Sequence, residues 1–341
     1  MKTIALGLSG VLAAAVASAA VTQDWKELGR YALGGAGGWD LLAVDAGSRH
    51  AFVTRSDRLV VVDVDTGKRI GEIPGLQRAH GVVLVPSRKR GYVSSGGDDR
   101  VVAFDLDTLK PVADIAVTGK SPDAMLYDEA SGRVFAFNAG SDSASVIDPA
   151  TNKVAATIAL PGRPELAASD GHGKVFVNLE DKSQIAEIDA DADKVIATWP
   201  LGSCEEPSGL AIDAAHGRLF SVCANKQMAV LDAADGRVLA SIPIGSGPDG
   251  AAFDAASGNA FSSNSDGTLT IVHEDDPTHF RVLANVATPA RARTIALDAK
   301  THHVLLPFAE FGAAPAPTSS EPHPRPPMKP DSFGLLVVGR Q

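Results

Sequence analysis

Apolar and polar residues alternate with period two along most of the chain, in short runs separated by Gly, Asp, Asn and Pro. Successive side chains of a strand point to opposite faces, so this alternation predicts short, half-buried strands. Between positions 124 and 160 the runs read "AMLYD", "RVFAFN", "SASVID" and "VAATIAL", four strands in one short stretch. The turn residues between them are those that end strands and reverse the chain.

The four-strand group repeats. "WDLLAVD" ends at Asp45, "PDAMLYD" at Asp128, "PELAASD" at Asp170, "PSGLAID" at Asp213, "PDGAAFD" at Asp254 and "ARTIALD" at Asp298, while "AHGVVLV" ends at Val85. Successive spacings are 40, 43, 42, 43, 41 and 44 residues. A second marker runs in phase: "VVVDVDTGK", "VAFDLDTLK", "SVIDPATNK", "AEIDADADK" and "AVLDAADGR" place Asp63, Asp105, Asp148, Asp189 and Asp232 at strand ends. An Asp there hydrogen-bonds its own turn backbone, so these five are expected as turn formers and not as catalytic acids. Four strands repeated at this period predict an all-β, seven-bladed β-propeller, in which each blade covers its apolar faces with its neighbours.

Units such as "HAFVTRSDRLVVVDVDTGK" and "RGYVSSGGDDRVVAFDLDTLK" resemble the YVTN-type β-propeller repeats of exported bacterial and archaeal proteins. The resemblance spans about residues 35–341, and the Gly-His and Trp-Asp signals of WD40 repeats are missing. Blade units are expected at about 35–75, 76–119, 120–162, 163–204, 205–246, 247–290 and 291–341. The last unit offers only "TIALD", "HVLLPF" and "FGLLVVGR". Its fourth strand is expected from "ELGRYALGG" at 27–35, which would close the ring and remove the exposed sheet edges.

Residues 1–19 combine a Lys near the start, an apolar run and Ala17-Ser18-Ala19, the pattern of a cleaved secretory signal peptide. The expectation is a periplasmic or secreted single domain over 20–341 with no membrane span. Net charge is −10, and about −11 without Lys2. An acidic chain without a basic run argues against nucleic acid and against anionic lipid surfaces, and points to cations or basic partners.

In a propeller the residue following the small or Pro position of each unit reaches the mouth of the central funnel. These residues are Asp40, His80, Asp123, Glu165, Ser208, Asp249 and Arg293. Carboxylates with an imidazole suit a divalent cation, with His favouring a transition metal. The opposing reading is that they cap their own strands, with Arg293 offsetting the acids. Loops between second and third strands add Asn138, Asn178, Glu180, Asp181, Asn225, Asn264 and Asp266 to the same face. In the seventh unit that loop becomes "AEFGAAPAPTSSEPHPRPPMKPDSF", residues 309–333, either a lid over the funnel or an insertion without a binding role.

Cys204 and Cys223 both fall in unit five, and in an exported chain a disulfide is the default; free thiols or a metal site with Glu205 and Glu206 are the alternatives. His273 and His279, and His302 and His303, are expected in turns on the far face, without zinc-helix spacing. No nucleophile elbow, phosphate loop or haem-attachment motif occurs in the chain after the leader. No cofactor is called for beyond a cation in the funnel. The functional expectation is a monomeric, non-catalytic propeller binding a periplasmic protein, small ligand or cation on its loop face. The resemblance implies two alternatives. One is a lactonase-like hydrolase, with Asp40, His80, Glu165 and Arg293 activating water and stabilising the oxyanion. The other is an accessory of a periplasmic redox system.

Overall fold

The computed structural model describes residues 24–318 and 324–340, so the expected leader lies outside the described residues. Seven four-stranded antiparallel sheets form the blades of a β-propeller. Blade one, for example, runs from the funnel outwards through Trp39–Asp45, His50–Arg55, Arg58–Asp63 and Arg69–Pro74. The innermost strands of the later blades are Ala79–Val85, Pro122–Asp128, Pro164–Ser169, Pro207–Asp213, Pro248–Asp254 and Ala296–Asp298. Among the described residues no helix is long and apolar enough to cross a membrane.

The second and third strands of the blades are buried on both faces. His50–Arg55 and Arg58–Asp63 keep only their first residue, and in the latter also the last, partly exposed. Seven apolar clusters lie between neighbouring blades, such as Phe52, Val61, Val93 and Phe104 between blades one and two. Close approach of innermost strands demands glycine at points along the ring. A Cβ on Gly81 would lie 2.4 Å from the Asp123 carbonyl, and one on Gly209 would lie 2.6 Å from the Ala251 nitrogen.

Both aspartate series are turn formers at the face opposite the funnel. Asp63 Oδ1 accepts the Asp65 and Thr66 N–H groups, and Asp105, Asp148, Asp189 and Asp232 repeat the contact. Asp45, Asp128, Asp213, Asp254 and Asp298 do the same at the ends of innermost strands. This explains why Asp is the repeat's most regular polar position.

The ring closes as expected. Lys26–Ala32 pairs antiparallel with Gly334–Gly339, with Tyr31 opposite Leu335, as the outermost strand of blade seven. The seam carries further bonds. Tyr31 Oη donates to the Val64 carbonyl at 2.9 Å. Arg49 bridges Asp65 and the nearly buried Asp298, both at 2.7 Å. Burial alone would raise the pKa of Asp298, but hydrogen bonds from Arg49, Thr301 and the Lys300 N–H pull it down to about 2.

Arg55 was not singled out by the sequence reading. It is 1 % exposed and pairs with no carboxylate among the described residues. Its guanidinium donates to the carbonyls of Gly34, Gly35, Ala36, Gly37 and Gly38 at 2.7–3.4 Å. It also lies 3.6 Å from the centre of the Phe333 ring. The linker between the closing strand and blade one is thus wrapped around a buried cation, and Gly34, Gly35 and Gly37 supply the left-handed turns this requires.

Two expectations change. His273 lies within strand Thr268–Asp276, and His279 and His303 open strands, leaving only His302 in a turn. The outer hairpin of blade six continues its pairing through Glu274 opposite Phe280 and Asp276 opposite His279, which absorbs the expected turn. The Asn residues assigned to the exposed loop face are the second correction, treated below.

Candidate functional site at the funnel mouth

All seven residues expected at the funnel line one cavity of about 370 Å³. Each sits one residue after the first residue of its innermost strand, which is Trp39 in blade one and Ala or Pro in blades two to six, except in blade seven. There the strand begins only at Ala296, and the chain around Arg293 leaves the ladder. The Gly250 N–H and the Ser263 hydroxyl, both of blade six, hold the Arg293 carbonyl instead.

The ring is held by hydroxyls and an amide on neighbouring strands. Thr54 donates to the His80 carbonyl, Ser94 to that of Asp123, Asn178 to that of Ser208, and Thr294 to that of Asp40. With Ser263, five of the seven funnel backbones are therefore fixed from an adjacent element. The signal in the sequence was a polar residue at the fifth position of the second strand: Thr54, Ser94, Asn178 and Ser263. Asn138, Asn178 and Asn264 are fully buried and do not form an exposed loop face. Asn138 donates to Ser143 and Ser145, and Asn264 to Thr268 and Thr270. Strand pairing continues to these positions, so their amides turn inward. Glu180 does reach the cavity, paired with Arg163, while Asp181, Asn225 and Asp266 brace turns by accepting the N–H groups of Arg163, Glu205 and Ser246.

His80 Nδ1 lies 2.6 Å from Asp40 Oδ2 and 3.8 Å from Asp123 Oδ1. One ligand atom from each of Asp40, His80 and Asp123 falls within a sphere of contacts no longer than 4.8 Å. On the other side of the mouth, Arg293 Nε lies 3.2 Å from Asp249 Oδ2. A second ring lies two residues before the first. Arg78, Ser121, Glu206, Gly247 and Arg291 there all have left-handed backbones, although only one is glycine. Such a conformation costs roughly 1–2 kcal/mol for an ordinary residue, and the repeat tolerates it because it turns the chain into the funnel.

Crowding of acids in a poorly solvated mouth raises their pKa values. Glu165 is pushed up to about 8, first by burial and then by the charges of Asp123 and Asp249. Asp249 rises to about 7 through burial, which outweighs Arg293, with Asp40 and Asp123 adding to it. Burial likewise raises Asp123. For His80, burial opposes the charged ring, but the Asp40 hydrogen bond and the nearby carboxylates outweigh it and raise the pKa.

All these folded-state values lie above their unfolded ones. Their stabilisation is complete below about pH 4 and lost as pH rises through the folded values. The melting temperature should therefore fall between about pH 4 and 8 and level off above, and Glu165→Gln should flatten that fall. After solvent screening, the gain at pH 9 is on the order of 1–2 kcal/mol. A variant with the same pH slope as the wild type would show that Glu165 ionises freely.

A second cluster sits at the opposite face. Asp213, His216 and Glu274 also bring ligand atoms within 4.8 Å, and burial pushes Glu274 up to about 7. Sequence reading missed it because Glu274 comes from the extended hairpin of blade six.

No family model and no curated protein matches the sequence. Among solved structures the chain is similar to "Kuenenia stuttgartiensis Hydrazine Synthase", with a TM-score of 0.68 at 16 % identity, covering 79 % of this chain and 92 % of that one. At that identity the likeness shows the propeller fold.

Proposed function

We propose that this chain is an exported, YVTN-type binding propeller whose funnel takes a divalent cation between Asp40, His80 and Asp123. The observation that carries the reading is the convergence of one imidazole and two carboxylates within 4.8 Å at the mouth of a cavity lined by further acids. Mixed nitrogen and oxygen donors favour a transition metal over calcium. A cation entering the mouth would replace the protons that burial, first, and neighbouring carboxylates hold on these acids.

The site offers no activated nucleophile. Ser208 Oγ donates to the Pro248 carbonyl and not to His80, so among the described residues the mouth holds no paired Ser–His nucleophile, which favours reading it as a binding site.

Calorimetric titration of the purified chain with Mn²⁺ or Zn²⁺ should give one site per chain. His80→Gln and Asp123→Asn should each weaken it at least tenfold. Affinity should rise from pH 6 to pH 8, with proton release, because protonated carboxylates must ionise to bind. Equal affinity in wild type and both variants would overturn the funnel assignment.

A further inference from the structure

Beside the acidic funnel lies a larger chamber of about 630 Å³ with the opposite character. Its walls include Trp39, Phe311 and Met328, and its charged groups are Arg291, Arg293 and Arg325 with a single acid, Asp266. Phe311 and Met328 face each other as an isolated β-bridge, and the Gly312 N–H donates to the Pro327 carbonyl at 2.8 Å. The two ends of the Pro-rich insertion thus form a hairpin base. Phe311 leans on Trp39, with ring centres 6.1 Å apart, and the Arg291 guanidinium lies 4.9 Å from the Phe311 ring centre. The described ends of the insertion form a wall of this chamber.

Two of the chamber's three arginines lack a carboxylate partner, as do Arg55, Arg78, Arg88 and Arg340 among the described residues. Eleven others, from Arg30 to Arg281, have a carboxylate within ion-pair distance, Arg49 and Arg100 among them. Among the described residues Arg291 and Arg325 pair with no carboxylate, although the chain carries 41 acids against 31 Lys and Arg. Asp266 is already committed, accepting the Ser246 N–H and the Thr268 hydroxyl. The chamber exists because blade seven's innermost strand starts late, leaving the segment before Ala296 free to turn aside.

We propose that this chamber binds a planar organic anion, an aromatic or heteroaromatic ring bearing a carboxylate. The guanidinium fork matches a carboxylate bidentately, while Trp39 and Phe311 offer aromatic faces to the ring. The volume is that of a small-molecule site. The mixed wall selects against inorganic anions, which leave the aromatic surface wet, and against neutral rings, which leave the arginines unpaired. This site is separate from the cation reading: it uses none of Asp40, His80 or Asp123.

The test is calorimetric titration of the full chain with 2-naphthoate, with 2-naphthylmethanol and with inorganic phosphate, in a chelator-containing buffer. Expected is one site for naphthoate, at least tenfold tighter than either comparison probe. Arg291→Asn and Arg325→Gln should each weaken naphthoate at least tenfold, while His80→Gln leaves it unchanged. Asn suits position 291 because φ there is +67°. Arg325 is exposed on the hairpin, so its variant tests the site even where Arg291→Asn impairs folding. Naphthoate binding no tighter than naphthylmethanol, or unchanged binding in the Arg325 variant, would overturn the proposal.

Discussion

Replacing Arg55 by Leu is expected to lower the unfolding free energy by about 3–5 kcal/mol, read from chemical denaturation. The size follows from what the substitution leaves behind. Five carbonyls of residues 34–38 point at a guanidinium that is 1 % exposed. Without it the carbonyls of Gly34, Gly35 and Gly37 lose their donor, each a desolvation cost, while those of Ala36 and Gly38 keep Arg58 and the Ser56 N–H. Burial lowers the Arg55 pKa to about 10, so the side chain is still charged at neutral pH. The damage falls at the seam, because residues 34–38 join the closing strand to blade one. Arg55→Lys should recover little, since an ammonium is a compact point donor and cannot reach the same spread of carbonyls. A Leu variant within 1 kcal/mol of wild type would mean that the linker carbonyls find water or other partners.

Removing the Cys204–Cys223 bridge should cost about 3 kcal/mol. The two residues are 19 apart in sequence with Cα atoms 5.6 Å apart, inside the range a disulfide spans. The bridge ties the turn before blade five's innermost strand to the end of its second strand, where Pro207 pairs with Cys223. Both sulfurs are buried with Trp199, Leu201, Leu210 and Leu219, so an Ala pair also loses packing. The double variant Cys204→Ala/Cys223→Ala should unfold at lower denaturant with little change in slope. The oxidised wild type and its reduced form should differ in the same direction. Equal midpoints for oxidised and reduced protein would show that the bridge adds nothing to the blade's own packing. Glu205 and Glu206 stay outside this arrangement; their N–H groups bond Asn225 and Ser183, and they join no metal cluster among the described residues.

Period-two alternation and the recurring Asp made the blades legible, because a strand's burial is written in its own residues and each turn is capped locally. The same regularity located the funnel: a residue at a constant offset from each innermost strand must reach the shared axis. Thus Asp40, His80, Asp123, Glu165, Ser208, Asp249 and Arg293 could be named from spacing alone, and one cavity receives all seven.

What depends on partners distant in sequence was not legible. Asn138, Asn178 and Asn264 look like loop residues, yet only packing shows that their amides turn inward. Arg55 reads as a strand-end cation until the linker folds round it. Arg291 precedes the Pro-rich insertion and Arg325 lies within it, and only the hairpin and the displaced start of blade seven bring them to one chamber. Local pattern determined the repeat, the ring and the identity of the funnel residues. Tertiary structure alone decided which charges face one another, because ion pairing and burial depend on distances between segments that no single segment encodes.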